Sequence, residues 1–240
     1  MEEYLEKTKN IQQNILEYIE EEEDSDEKFQ KIKDIFTKNQ IQDNKYELKL
    51  FLYFLSKISK NHHHTTNFSN KINRFFEYLK DDLRKFYTNS ELFDIFKGNK
   101  RNLLFLIEAK IINIDESIVK QIIQGKYIQK KYPQYFQPEI QPFIHKKWFP
   151  KYDWILEIEK ELPIDFYELR KIGENDSFIC ELIRKDSIKE FIVYINKNNY
   201  KFDSRINPSI YETNNILLKY SNTTLIEYAV LFCSMQIFNY

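Results

Sequence analysis

Small residues are scarce in this chain of 240 residues, which contains 3 glycines and only two alanines, Ala109 and Ala229. Three glycines cannot supply the glycine-rich loops that hold phosphate groups, so nucleotide-binding motifs of that class are excluded. The catalytic patterns G-x-S-x-G, H-E-x-x-H and C-x-x-C are also absent from the sequence. We therefore expect a protein that is not an enzyme and that holds no cofactor.

Cysteine is equally rare, and the 2 residues present, Cys180 and Cys233, lie far apart in the sequence. This spacing predicts reduced, buried thiols in a cytoplasmic or nuclear protein rather than a disulfide framework. Apolar runs are short: Leu50–Leu55 is far below the roughly 20 residues that a bilayer span needs. The acidic N-terminal sequence MEEYLEKTK is unlike a signal peptide. We expect neither membrane insertion nor secretion.

An excess of charge of one sign is lacking too, because 36 basic and 37 acidic side chains give a formal net charge of −1. Such a chain has no overall field that would attract DNA or an anionic membrane. Aromatic residues are plentiful, with 20 phenylalanines and 17 tyrosines. Because alanine is so rare, we expect these rings to fill core positions, and we do not interpret them as a binding signature.

Apolar residues recur at helical spacing, and no segment shows sustained strand alternation, so the fold class is predicted to be all-α. Residues 1–125 are predicted to form an N-terminal helical module of unknown function. Its helices are expected within residues 3–23, 29–36, 45–60, 68–87, 90–97 and 100–124. Residues 45–60 are apolar nearly all round, which predicts a buried central helix. Asn89 and Ser90 are expected to cap one helix and Asp115 another.

Proline marks a change at residues 126–173, which are predicted to form an ordered strap followed by helices at 151–162 and 164–172. Four of the 6 prolines lie within residues 126–152: Pro133, Pro138, Pro142 and Pro150. Proline at this density breaks long helices. The segment is also rich in aromatic residues, so we do not interpret it as a free linker. Gly173 is expected to end the last helix.

Two segments of the chain repeat at an offset of 47 residues, which places Ile179 over Ile226 and Asp186 over Cys233. Both are predicted to contain a helix, a two-residue break and a second helix, the hairpin unit of a helical solenoid. The turn residue of such a unit adopts a left-handed conformation, which aspartate tolerates better than cysteine does. Residues 201–222 are expected to hold an insertion with a short helix near its end.

The second copy resembles an ankyrin repeat, whose consensus opens with T-P-L-H-x-A and continues after a turn into a second helix. The matching residues are Thr224, Ile226, Ala229, Ile237 and Phe238. The Thr224 hydroxyl is expected to cap the first helix, and the small side chain of Ala229 is expected to let helices approach closely. The departures are Leu225 at the proline, Glu227 at the histidine and Cys233 at the turn glycine. The 47-residue offset also exceeds the roughly 33 residues of a plain ankyrin repeat, which the insertion would explain.

Longer segments resemble a large family of protist ankyrin proteins with an N-terminal all-helical domain of unknown function. These segments are KYPQYFQPEIQPF, GENDSFICELIRKDSIKEFIVYINKNN and TLIEYAVLFCSMQIFNY. The resemblance implies a non-enzymatic protein-interaction or scaffold protein, the N-terminal part of a longer ankyrin-repeat protein. Residues 174–240 would be quasi-ankyrin repeats, the last one incomplete. Downstream repeats are expected to pack on residues 223–240, against a stripe formed by Leu225, Ala229, Met235, Ile237 and Phe238.

A basic and aromatic segment gives the main alternative, a helical module that binds single-stranded nucleic acid through residues 126–151. Its lysines are Lys126, Lys130, Lys131, Lys146, Lys147 and Lys151, and its rings are Tyr132, Tyr135, Phe136, Trp148 and Phe149. The same residues also fit anchored rings with lysines that reach outward, and the neutral net charge favours that interpretation. A degenerate copy without independent function is a further alternative.

Two polar clusters have both a structural and a functional interpretation. The run EEEEDSDE at residues 20–27 indicates a solvated helix end or, alternatively, a docking site for a basic partner. His62, His63 and His64 could suggest a metal site. Adjacent side chains point in different directions, however, and a structural zinc site needs four ligands at set spacings. We therefore expect a polar loop and no metal.

Overall fold

Helices form almost all of the regular structure of this protein. The computed structural model describes residues 2–61, 67–124, 131–144, 162–219 and 222–240. Sixteen α-helices form within these ranges, and the β-type pairing found there is one isolated bridge between Arg205 and Thr224. The predicted all-α class is confirmed.

The chain divides into two compact units, Met1–Ile118 and Val119–Tyr240. The first contains α1 (Glu2–Glu20), α2 (Asp26–Lys38), α3 (Lys45–Asn61), α4 (Phe68–Tyr78), α5 (Lys80–Phe86), α6 (Asn89–Phe96) and α7 (Lys100–Glu108), and α8 (Glu116–Gln124) spans the boundary. The second contains α9 (Lys131–Tyr135), α10 (Gln137–Ile144), α11 (Phe166–Ile172), α12 (Phe178–Arg184), α13 (Ile188–Lys197), α14 (Asn215–Lys219), α15 (Leu225–Leu231) and α16 (Met235–Asn239).

Aromatic rings build the core of the first unit, as the rarity of alanine predicts. The ring centroids of Phe36 and Phe51 are 4.8 Å apart, and Phe75 lies 5.2 Å from Phe29 and 5.5 Å from Phe51. These three pairs are T-shaped, which is a favourable arrangement of aromatic quadrupoles. All four rings are buried, so they supply apolar area that small side chains would not.

Helix α3 is buried on one side only, so the prediction of a fully enclosed central helix is wrong. Leu48, Leu52 and Leu55 are completely buried, whereas Tyr46 and Tyr53 expose 65% and 48% of their surface. The apolar pattern misled because it counted tyrosine as a core residue. A tyrosine combines an apolar ring with a hydroxyl that can remain in water.

A buried lysine stabilises the end of α1. The Nζ atom of Lys71 lies 2.9 Å from the carbonyl oxygen of Tyr18 and 2.6 Å from that of Glu21. It donates to carbonyl groups that the C-terminus of the helix leaves without an intrahelical partner. Its charge also suits the negative end of the helix dipole. Burial lowers the pKa of Lys71.

The cap of α6 is Thr88, and the prediction of Asn89 and Ser90 is wrong by one residue. The Thr88 hydroxyl accepts from the Glu91 amide, and the Glu91 carboxylate accepts from the Thr88 amide at 2.8 Å. Asn89 instead donates to Asp115 at 3.1 Å. Asp115 caps α8, as predicted, by accepting from its first turn at 2.9 Å.

Other helix boundaries follow the sequence in part. The predicted helix at 68–87 is divided into α4 and α5, since Leu79 between them has φ −95° and ψ 5°. Gly173 ends α11 as predicted, with a φ of 71° in the left-handed region. Two short helices, α9 and α10, lie in the predicted strap, and the predicted helix at 151–162 lies almost entirely outside the described residues.

Candidate functional site

Two helical hairpins, α12–α13 and α15–α16, have the same turn. Each break is three residues long, not two as predicted, and the middle residues Asp186 and Cys233 have φ values of 49° and 52°. The next residues, Ser187 and Ser234, donate from their amides to the carbonyl five residues earlier, at 3.0 and 2.9 Å. The predicted 47-residue offset therefore relates two turns of equal geometry.

Equivalent helices of the two hairpins lie against each other, α12 against α15 and α13 against α16. The core between them contains Ile179, Cys180, Leu182, Ile183, Phe191, Ile195, Ile206, Leu225, Tyr228, Ala229 and Ile237. Ala229 belongs to this core, in agreement with the expected role of a small side chain between neighbouring helices.

Polar bonds fix the two hairpins in register. The Asp186 carboxylate accepts from the backbone amides of Gln236 and Ile237, both at 3.0 Å. The Ser234 hydroxyl donates to the carbonyl of Ile183 at 2.5 Å. The carboxylate thus binds amides that the N-terminus of α16 leaves free, and its charge suits the positive end of that helix.

Thr224 begins the second hairpin with a capping box, which confirms its predicted role as a helix cap. Its hydroxyl accepts from the Glu227 amide, and the Glu227 carboxylate accepts from the Thr224 amide at 2.7 Å. These hydrogen bonds lower the pKa of Glu227. Glu227 therefore has a structural role at the start of α15.

A partly buried polar cluster joins the first helices of the hairpins. Arg184 donates from Nη1 to the Tyr228 hydroxyl at 2.7 Å, and its Nε pairs with Glu174 at 2.6 Å. Burial raises the pKa of Tyr228, so its hydroxyl stays protonated. Burial also raises the pKa of Cys180 to about 11, so little thiolate forms near neutral pH. The cluster is built for packing and presents no activated nucleophile.

Cys233 is exposed, contrary to the prediction of two buried thiols.

Burial reverses between equivalent positions of the two hairpins. Ile183 and Phe191 are fully buried in the first hairpin, whereas their equivalents Val230 and Phe238 expose 55% and 46% of their surface. Met235 exposes 59%. We call Val230, Met235 and Phe238 the outer face. The second hairpin therefore covers Ile183 and Phe191 of the first hairpin, whereas the equivalent residues of the second hairpin are exposed.

The outer face differs from the predicted apolar stripe. Leu225, Ala229 and Ile237 lie in the core between the hairpins, so only Met235 and Phe238 of that stripe are open. The prediction assigned all apolar positions of the second hairpin to one side, although α15 and α16 each turn one side toward the first hairpin. The prediction missed Val230, the third residue of the outer face. The 47-residue offset aligns Val230 with Ile183, which is buried in the first hairpin, and this alignment was the signal that could have identified it.

A groove of about 490 Å³ adjoins the outer face at Val230. Its lining includes Ile216 and Leu217 from α14 and Glu227 and Leu231 from α15. Helix α14 is the short helix expected within the insertion. Because Ile216 is exposed, the groove extends the open apolar surface beyond the hairpin itself.

The basic aromatic segment has no open stacking rings in its described part. Tyr132, Tyr135 and Phe136 are buried, and the Tyr135 hydroxyl donates to the carbonyl of Arg170 at 3.0 Å. Arg170 pairs with Glu139 at 2.8 Å in the same cluster. These rings are anchored, which supports the structural interpretation. Outside the described residues lie Lys126, Lys130, Lys146, Lys147, Trp148, Phe149 and Lys151.

Part of the acidic run pairs with basic side chains of its own unit. Arg74 contacts both Asp24 and Asp26, and Lys28 contacts Glu21. These pairs tie the connection between α1 and α2 to α4. They favour a role in local structure over a docking site for a basic partner.

The predicted histidine cluster, residues 62–64, lies outside the described residues. Among the residues that the structure describes, no group of three potential metal ligands comes together. No helix in the described ranges is both long enough and apolar enough to cross a bilayer. Comparison with protein-family models, curated proteins and solved structures gives no match.

Proposed function

We propose that this chain is a non-enzymatic protein-interaction or scaffold protein of the ankyrin-repeat kind, and that its outer face receives a further helical hairpin. In this proposal the first unit caps or regulates one end of a repeat array in the cytoplasm or nucleus. The partner is a protein, and the surface that it meets is apolar.

The reversal of burial between the hairpins carries the proposal. Val230 and Phe238 occupy the positions of Ile183 and Phe191, which the next hairpin covers. A repeat unit buries its faces only against its neighbours. A third hairpin that packs on the second as the second packs on the first would cover the outer face.

The opposite side of the hairpins shows the complementary reversal. Leu225 is 1% exposed in the core between the hairpins, whereas its equivalent Phe178 exposes 52% of its surface. Each hairpin therefore has one side for a preceding unit and another for a following unit. This polarity is typical of an array that grows in one direction.

The interface between the second hairpin and a third would depend more on the burial of apolar side chains than the interface between the first two hairpins does. Full burial of a valine, methionine or phenylalanine side chain contributes about 1.5–3 kcal/mol. The outer-face side chains are already about half buried, so covering all three would contribute roughly 3 kcal/mol. Cys233 occupies the position of Asp186, so the two amide–carboxylate bonds would be missing there.

A chain extended by a copy of its own residues 194–240 tests the proposal. Tyr240 is equivalent to Val193, so the added residues continue from α16 in the register of α13 and supply a third hairpin. Hydrogen exchange of α15 and α16 in the extended and original chains is the readout. We expect slower exchange in the extended chain, because stacking protects helices that otherwise open locally.

Matched variants identify the face that is responsible. Val230→Asp with Phe238→Asp in the extended chain should abolish the added protection, since two carboxylates would be buried without partners. Val193→Asp changes a residue that is 68% exposed and should leave the protection intact. Equal exchange in the extended and original chains would contradict the proposal, and so would added protection that survives the double substitution.

A further inference from the structure

Helix α3 of the first unit presents an apolar and basic face to solvent. Leu50 is 39% exposed between the more exposed Tyr46 and Tyr53, and Lys49 and Lys57 are exposed beside them. The spacing of these residues places them on one side of the helix. From Tyr46 to Lys57 the side extends about 16 Å at 1.5 Å per residue. We call these five residues the α3 face.

The α3 face is a rigid platform, because the other side of the helix is fixed in the core. Leu48, Leu52 and Leu55 are fully buried there, and the Ser56 hydroxyl donates to the carbonyl of Ile95 at 2.9 Å. A partner would therefore meet a preformed surface and would not have to order it, which lowers the cost of binding.

The charge of this helix is strongly positive in a chain whose formal net charge is −1. The charged residues of α3 are Lys45, Glu47, Lys49, Lys57 and Lys60. Lys45 already pairs with Glu91 at 3.1 Å. Within the described ranges, neither Lys49 nor Lys57 forms an ion pair. The apolar centre of the face is thus accompanied by positive charge without local neutralisation.

We propose that the α3 face is a docking surface for an acidic amphipathic helix of a partner protein. Apolar side chains of that helix would pack among Tyr46, Leu50 and Tyr53, and its carboxylates would meet Lys49 and Lys57. The apolar centre provides affinity, while complementary charge selects and orients the partner. This surface belongs to the first unit, so the inference is independent of the outer face in the second.

A protein helix fits the face better than a nucleic acid or a membrane does. Two lysines give little of the counterion release on which nucleic-acid affinity depends. A helix whose opposite side is locked in the core cannot lower itself into a bilayer interface as a free amphipathic helix does. An apolar row with charges beside it is the pattern by which one helix recognises another.

Selection from a peptide library tests the proposal. The library displays helical peptides about 16 residues long, which is enough to cover the face. Each peptide has apolar residues at fixed helical spacing, and the positions between them carry random charged residues. It is selected on the full chain. We expect enrichment of glutamate and aspartate at the random positions. One enriched peptide is then synthesised and its dissociation constant measured by fluorescence anisotropy.

Three variants of the full chain distinguish the outcomes. Leu50→Ser with Tyr53→Ser should weaken binding of that peptide at least tenfold, an effect typical of hot-spot residues. Lys49→Glu with Lys57→Glu should reverse the charge preference of the selection. Val193→Ser is the control and should change nothing.

Several results would overturn the proposal: no enrichment, enrichment of basic or neutral peptides, or binding that the Leu50 and Tyr53 substitutions leave unchanged. Displacement of the peptide by single-stranded DNA, or by phosphatidylcholine vesicles containing phosphatidylserine, would assign the face to those ligands instead.

Discussion

Replacement of Asp186 measures what the turn and the bonds between the hairpins contribute to stability. The carboxylate accepts two amides at 3.0 Å from α16, and the backbone φ of 49° is unfavourable for most side chains. A hydrogen bond to a charged group contributes about 1.5–3 kcal/mol when it is shielded from water. The bond from Gln236 is exposed and that from Ile237 is partly buried, so we expect about 2 kcal/mol from both together.

Three substitutions separate the bonds from the backbone strain. Asp186→Ala loses both bonds and keeps a Cβ atom in the left-handed conformation, so it should destabilise the second unit by about 3 kcal/mol. Asp186→Gly loses the bonds but relieves the strain, which reduces the loss to about 1–2 kcal/mol. Asp186→Asn keeps a neutral acceptor and tolerates this conformation, so its loss should be about 1 kcal/mol.

Native-state hydrogen exchange of the full chain, followed in α15 and α16, provides these free energies. Cys233→Gly is the matched control, because Cys233 has nearly the same φ, 52°, but is exposed and accepts no such bonds from the residues that the structure describes. It should stabilise the hairpin by about 0.5–1 kcal/mol. The reasoning is refuted if Asp186→Gly stabilises the hairpin as Cys233→Gly does, because the carboxylate would then contribute nothing.

Three further predictions concern a buried charge, a thiol and the helix caps. Lys71→Met should destabilise the first unit by about 2 kcal/mol, measured as faster exchange in α1, because carbonyls at its end lose their donor. Cys233 should react with Ellman's reagent much faster than Cys180, whose pKa burial raises to about 11; equal rates for both thiols would contradict this. Hydrogen bonds lower the pKa of Glu91 and Glu227 from 4.5, so both capping boxes should be fully formed above pH 4.5 and lost as the pH falls through the lowered values. Amide exchange at the start of α6 and α15 would reveal that loss.

Local features of the fold could be predicted from the sequence because neighbouring residues determine them. The turns at Asp186 and Cys233, the cap at Thr224 and the stop at Gly173 each depend on a few adjacent residues. The 47-residue offset could also be found, because equivalent positions of the hairpins carry similar side chains.

The direction in which each apolar side chain points depends on the packing of distant segments and could not be predicted in the same way. Leu225 and Ile237 look like members of an open stripe until the first hairpin is placed against them. Tyr46 and Tyr53 look like core residues until the other side of α3 is seen to fill the core. The hydrogen bonds of Asp186 to α16 join residues that are 50 and 51 positions apart, so no local sequence pattern predicts them.

The central claim is that the outer face is the site where a following hairpin stacks. A crystal structure of the chain extended by residues 194–240 tests it most directly. The account predicts that the added hairpin covers Val230 and Phe238 until they are as fully buried as Ile183 and Phe191 are now. It also predicts that the copy of Ser234 in the added turn donates to the carbonyl of Val230, as Ser234 donates to that of Ile183. An added hairpin that packs elsewhere, with Val230 and Phe238 still open, would contradict it.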